Sequence, residues 1–178
     1  PRIEWRDGDA LLASGTLAFG NDGALSSMAV DARSRDMSPL RQRYLSGWMG
    51  VFGLGDVDLH GAMDLRVEAQ AGALSRVDAV LHGVDLRDPA RRFVFDRLAG
   101  DLRYSASMPV RSELRWQGGQ LYGLAFGEAR LPMSSADGLL RFREDVRVPL
   151  MDGTMTLREV VIRPPQGTAG MDIHFGLA

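Results

Sequence analysis

Val110-Arg111-Ser112-Glu113-Leu114-Arg115-Trp116-Gln117 alternates without a break: Val110, Ser112, Leu114 and Trp116 fall on one side of an extended chain, and Arg111, Glu113, Arg115 and Gln117 on the other. Successive side chains of a β-strand point to opposite faces, so this octet predicts a strand with one dry face and one wet face. The same period places Leu102 and Tyr104 opposite Asp101 and Arg103, and Leu140 and Phe142 opposite Arg141 and Arg143. It also places Val146, Val148 and Leu150 opposite Arg147, and Ile173, Phe175 and Leu177 opposite Asp172 and His174. A sheet solvated on one face only is the antiparallel kind.

The punctuation between these runs fits hairpins. Four Asp-Gly steps, Asp7-Gly8, Asp22-Gly23, Asp137-Gly138 and Asp152-Gly153, separate them, and Asp-Gly is a favoured pair for two-residue hairpin turns because both central positions can need positive φ. Gln117-Gly118-Gly119-Gln120 reads as a further tight turn, and Tyr122-Gly123 through Gly127 as a strand broken by a bend. An internal echo strengthens the pattern: Gly15-Thr-Leu-Ala-Phe with Gly23-Ala-Leu-Ser-Ser-Met-Ala-Val resembles Gly61-Ala-Met-Asp-Leu with Gly72-Ala-Leu-Ser-Arg-Val-Asp-Ala, and Gly100-Asp-Leu-Arg-Tyr and Gly153-Thr-Met-Thr-Leu repeat the opening half. The expected unit is a hairpin that covers the apolar face of its neighbour in a stack.

Residues 38 to 53 depart from the pattern. Ser38 as N-cap and Pro39 at the first helical position are a start signal, and Leu40, Tyr44, Leu45, Trp48, Met49 and Phe52 recur at helical spacing. The spacing predicts one amphipathic helix near 39–52, with Leu40, Tyr44, Trp48 and Phe52 packed on the sheet or plugging one end of it. Gly47 and Gly50 within it each cost roughly 1 kcal/mol relative to Ala, so tertiary packing has to hold it.

Composition sets the outer bounds. The 178 residues carry a formal net charge of −2, with cations and anions interleaved, which points away from nucleic acid as a partner. All 21 cations are Arg. Cysteine is absent, which removes disulfides, thiolate metal sites and Cys nucleophiles and fits either the cytoplasm or a Gram-negative periplasm. No run of about 18 apolar residues predicts a membrane-spanning helix. The chain begins in the approach to one strand and ends within another, so a single β-rich segment of a longer repeat protein is expected.

No pattern announces a reaction. His60, His82 and His174 are scattered and read as strand residues facing solvent or a local hydrogen-bond partner. Asp56-Val-Asp58-Leu-His60-Gly61 resembles the start of a calcium loop, but the twelfth position, where a bidentate Glu is needed, is Val67. Neither a nucleophile elbow, a phosphate-binding loop nor a zinc-protease motif occurs. The expectation is a protein that is not an enzyme and uses no metal and no cofactor.

The apolar face is what remains to carry function. If the sheet closes, Leu17, Phe19, Leu65, Val67, Leu102, Tyr104, Leu114, Trp116, Phe142 and Val148 fill a core. If it curls only halfway, the same ten residues line an open trough able to solvate acyl chains, each CH₂ removed from water contributing about 0.8 kcal/mol.

The run Trp116-Gln-Gly-Gly-Gln-Leu-Tyr-Gly-Leu-Ala-Phe-Gly-Glu-Ala-Arg-Leu, then Asp137-Gly-Leu-Leu-Arg-Phe-Arg, then Val148-Pro-Leu-Met-Asp-Gly-Thr-Met-Thr-Leu, resembles the AsmA-like proteins of Gram-negative envelopes, in particular the YdbH-like and TamB-like branches. The resemblance implies a periplasmic, inner-membrane-anchored ribbon of β-hairpins whose apolar groove carries phospholipid between membranes or serves outer-membrane biogenesis. It brings no catalytic residue. The expected fold is mainly β: an elongated, curved antiparallel sheet of repeated hairpins forming an open trough, with the helical insertion at 38–53 as a departure from that family's plain hairpin run. Expected partners are a phospholipid or other acyl-chain ligand, the rest of the parent protein, and a second copy through an exposed strand edge. The alternative is a closed β-sandwich serving as an interaction or scaffold module.

Overall fold

The computed structural model describes residues 1–8, 10–40, 43, 56–163 and 172–177. Among the described residues fourteen strands form one antiparallel sheet: β1 (Arg2–Asp7), β2 (Leu11–Phe19), β3 (Leu25–Ser34), β4 (Asp58–Gln70), β5 (Ala73–Arg87), β6 (Phe93–Ser105), β7 (Val110–Trp116), β8 (Gly118–Leu121), β9 (Leu124–Phe126), β10 (Ala129–Ala136), β11 (Leu139–Phe142), β12 (Val146–Leu150), β13 (Gly153–Arg163) and β14 (Asp172–Leu177).

Register simplifies this order. β6 pairs β7 with Ala99 opposite Arg115, and pairs β8 with Asp96 opposite Gly118, one continuous register along a single edge. β7 and β8 are therefore one strand interrupted at Gln117. By the same reasoning β9 and β10 lie end to end along β8 and β7, and β11 and β12 lie end to end along β13. Counted this way, the chain is an up-and-down meander in which every track bonds to its sequence neighbours, with β1 and β14 at the two edges. The hairpins are thus joined edge to edge in one layer, not stacked face on face as the repeat suggested.

The turns follow glycine more than Asp-Gly. Three connections are two-residue turns with both central residues at positive φ: Ala71-Gly72 (49° and 76°), Tyr122-Gly123 (49° and 82°) and Asp137-Gly138 (54° and 73°). This is the type I′ geometry, whose twist matches that of the flanking strands. Of the four Asp-Gly steps, only Asp137-Gly138 makes such a turn. Asp7 and Leu11 flank a three-residue loop, Asp22 sits in a longer loop where its Oδ1 accepts the Ala24 N–H at 3.0 Å, and Met151-Asp152 form the next hairpin turn while Gly153 already pairs with Leu150. Gln117 to Gln120 is not a turn.

The reason for the last correction is packing. Gly119 faces Phe95 on one side and Phe126 on the other, and a Cβ there would overlap the Val94 carbonyl oxygen and lie 2.5 Å from Phe126 Cζ. Gly119 is the floor under the Phe126 ring, which packs 5.3 Å from the Phe95 ring and 5.9 Å from the indole of Trp116.

Cross-strand pairs sort the side chains onto two faces. One carries the row Trp5, Ala13, Ala32, Leu65, Ala79 and Leu102, and beside it the row Ile3, Gly15, Val30, Val67, Val77 and Tyr104. The other carries Arg33, Asp64, Arg66, Asp78, Arg103, Glu113 and Arg130. From β6 to β13 the sheet curls toward its apolar side, so that Trp116 on β7 meets Val146 and Val148 on β12 in a core with Phe95, Phe126, Leu131, Phe142 and Met155. A second core forms where Met37, Leu40 and Val57, from the β3–β4 connection, cover Leu59 and Val84 together with Leu11, Met63, Leu86 and Phe93 at one end of the apolar face.

Of the amphipathic helix expected near 39–52, the described residues are Pro39, in a turn, and Leu40 and Arg43, both with helical backbone; the remainder lies outside the described residues. Ser38 does not behave as a simple N-cap: its backbone N–H and its hydroxyl both donate to Asp36 Oδ1, at 3.0 and 2.6 Å. Leu40 N–H closes a turn onto Met37 C=O at 3.0 Å. Leu40 is buried on the sheet as expected, while Tyr44, Leu45, Trp48, Met49 and Phe52 lie outside the described residues, as do the side chains of Ile173, Phe175 and Leu177.

Candidate functional site

The apolar face is uneven in cover. Between β6 and β13 it is closed on itself, and at the strand ends near residues 11, 59 and 93 it lies under the β3–β4 connection. Across β1 to β5 several of its larger side chains are exposed, Trp5 at 57% and Phe19 at 53%, with Ile3, Leu25 and Leu74 also exposed; Leu17, Met28 and Leu65 among them are half-buried. Between Trp5 and Leu65 stand only Ala13 and Ala32, and between Ile3 and Val67 only Gly15 and Val30. The small side chains leave a low strip along β2 and β3 with taller apolar residues on both flanks.

The ten residues predicted to line a groove all fall on this one face. Trp116, Tyr104 and Val148 are buried, and Trp116 and Val148 belong to the core of the curled half. Trp116 is tied down further by its Nε1–H, which donates to Gly127 C=O at 3.0 Å. Leu17, Leu65, Val67, Leu102, Leu114 and Phe142 are half-buried, and Phe19 is exposed. The open part of the face therefore runs through Leu17, Phe19, Leu65 and Val67, and its floor residues Ala13, Gly15 and Ala32 were not anticipated because a small residue in an alternating run gives no signal of its own.

The charged face holds a cleft of about 630 Å³ that crosses β1 to β5. Its two walls are cross-strand rows, Glu4, Ser14, Asp31, Arg66 and Asp78 on one side and Arg6, Leu12, Arg33, Asp64 and Val80 on the other. Arg33 Nε donates to Asp64 Oδ1 at 2.5 Å, His82 Nε2 lies 3.0 Å from Asp64 Oδ2, and Arg66 reaches both Asp31 and Glu68. The hydrogen bond from Arg33, and then that from His82, holds the Asp64 carboxyl below the usual carboxylate range. These ion pairs are solvated and each contributes little to stability.

One polar relay sits at the base of the β3–β4 connection. Ser38 Oγ lies 2.6 Å from Asp36 Oδ1 and 2.8 Å from His60 Nδ1. A hydroxyl has a single hydrogen; with it directed at the carboxylate, His60 Nδ1–H has to be the donor to Ser38 Oγ. The two hydrogen bonds from Ser38 to Asp36 pull that carboxyl below its ordinary pKa. An imidazole that donates to the hydroxyl cannot take its proton, so the relay braces the connection against β4 without activating Ser38 as a nucleophile.

Among the described residues no group of three or more His, Asp or Glu side chains could hold a metal ion, and no helix is long and apolar enough to cross a membrane. Comparison with protein-family models, with curated proteins and with solved structures returned no match.

Proposed function

We propose that this chain is a periplasmic segment of an AsmA-like envelope protein that holds phospholipid acyl chains along the apolar face of β1 to β6, without catalysis. The observation that carries the reading is the single-layer meander with one face apolar across β1 to β6 and large side chains exposed at Trp5 and Phe19. At about 3.4 Å per residue, the nine residues of β2 run about 30 Å, longer than an acyl chain that crosses one leaflet, about half of a hydrocarbon core roughly 30 Å thick. Acyl chains lie along the strip floored by Ala13, Gly15 and Ala32, between β1 and β4, and headgroups stay in water beyond the strand ends. The half from β6 to β13, filled by its own aromatic core, acts as the rigid wall of the trough.

The test is native mass spectrometry of the purified chain. Copurifying phospholipid, lost when Val67→Arg places a charge on the flank of the strip, supports the reading. A chain that is folded, compact and empty, and that takes up no phospholipid on incubation, supports the scaffold alternative instead.

A further inference from the structure

Ala71, Tyr122 and Met151 each hold a hairpin turn at positive φ without being Gly, Asn or Asp, and two of them are large. Tyr122 (φ 49°) and Met151 (φ 53°) occupy the left-handed region, where Asn, Asp and Gly sit at least cost and a large side chain is strained. Asp137, at the first central position of an equivalent turn at the opposite end of the strands, obeys that preference with φ 54°. The side chains of Tyr122 and Met151 stay mostly in solvent, 75% and 73% exposed, and Leu121 and Leu124 beside them are 42% and 47% exposed.

The two turns form one surface. Met151 N–H donates to Ala125 C=O at 3.4 Å and Leu150 pairs with Phe126, which sets the tip of the β12–β13 hairpin beside the tip of the β8–β9 hairpin. Tyr122 N–H donates to Arg92 C=O at 2.7 Å, so the loop at 88–92 joins them. Asp152 and Arg91 are exposed there, and Arg92 is paired with Asp88.

We propose that the turns at 121–124 and 150–152 are a bilayer-contacting tip that inserts Leu121, Tyr122, Leu124 and Met151 into the headgroup and upper acyl region. Shape decides between occupants. Turn tips are convex, and a fluid bilayer accepts a convex apolar tip without a complementary pocket, whereas a protein partner needs one. Tyr at the outermost position suits the interface, where its ring is buried and its hydroxyl stays wet. The exposed charges on these loops, Arg91 and Asp152, are of opposite sign, so binding depends little on anionic lipid. The proposal stands apart from the acyl-chain reading: an empty chain that binds vesicles through these turns keeps it, and a lipid-loaded chain that ignores vesicles sinks it alone.

The experiment is flotation of the chain with phosphatidylcholine vesicles and with vesicles containing phosphatidylglycerol, comparing it with the double variant Tyr122→Asn/Met151→Asn. Asn is at ease at positive φ, so the variant should melt no lower than the parent. The expected result is binding to both vesicle types that weakens about tenfold or more in the variant. Hydrogen exchange on the unaltered chain gives a second reading: vesicles should protect amides near 121–126 and 150–153 but not the Asp137-Gly138 turn. Failure of the parent to float, equal flotation of the variant, or protection at the opposite end overturns the proposal, as does capture of these turns by a protein partner without vesicle binding.

Discussion

Replacing Gly119 with Ala adds one methyl group in a place where none fits. The Cβ is fixed by the backbone, so no rotamer relieves its overlap with Val94 C=O, and Phe126 Cζ stands 2.5 Å away. Strand β8 has to move off β6, or the Phe126 ring has to leave its place against Phe95 and Trp116. Overpacking of this kind costs about 1–3 kcal/mol, and the loss of aromatic contact geometry adds roughly 0.5–1.5 kcal/mol. The sum, about 2–4 kcal/mol, lowers the melting temperature of a chain this size by about 5–15 °C. Gly118→Ala is the internal control, because the methyl there meets only Phe126 C=O, at 3.3 Å, and costs little. Differential scanning calorimetry of both variants decides the matter. A Gly119→Ala protein that melts within about 2 °C of the parent, or a Gly118→Ala protein that falls as far, would refute the placement of the aromatic cluster over Gly119.

Asp88 is 3% exposed and accepts from Arg92 N–H, Nε and Nη2; the Arg92 side chain first of all pulls its pKa to about 2. A carboxyl depressed in the fold stabilises above its unfolded value near 4 and loses that contribution as pH falls toward 2, so acid should lower the melting temperature over this window, and Asp88→Asn should flatten the slope there. Leu40→Ala removes a buried side chain from the core under the β3–β4 connection and should cost about 2–5 kcal/mol in urea unfolding; a loss under about 1 kcal/mol would contradict that packing. Asp64→Asn breaks a solvated contact with Arg33 and His82 and should change stability by no more than about 1 kcal/mol; a larger loss would make the charged cleft a structural element.

Face assignment was legible in the chain itself. The alternation from Val110 to Trp116, and around Leu140 and Val146, places the same residues together on the apolar side that the register does. Turns were legible only where the need was local. Asp137-Gly138 satisfied two positive φ values and was read correctly, but Tyr122-Gly123 was hidden because Tyr is a poor choice for that conformation. Gly118-Gly119 misled because its purpose, room for the ring of Phe126, depends on a residue across the sheet. The charged cleft was invisible for a related reason: its walls are rows of one residue from each of five strands, and only the register assembles them. Ser38 signalled a helix start, yet its hydroxyl serves Asp36 and His60, a partner 22 positions away.

The central claim, that acyl chains lie on one face of the sheet, is tested most directly by photo-crosslinking along β4 in cells. A benzophenone side chain introduced singly at each position from 64 to 68 should capture phospholipid at Leu65 and Val67 and not at Asp64, Arg66 or Glu68, a period-two pattern set by the pleat. Lipid adducts at all five positions, or at none, would contradict it.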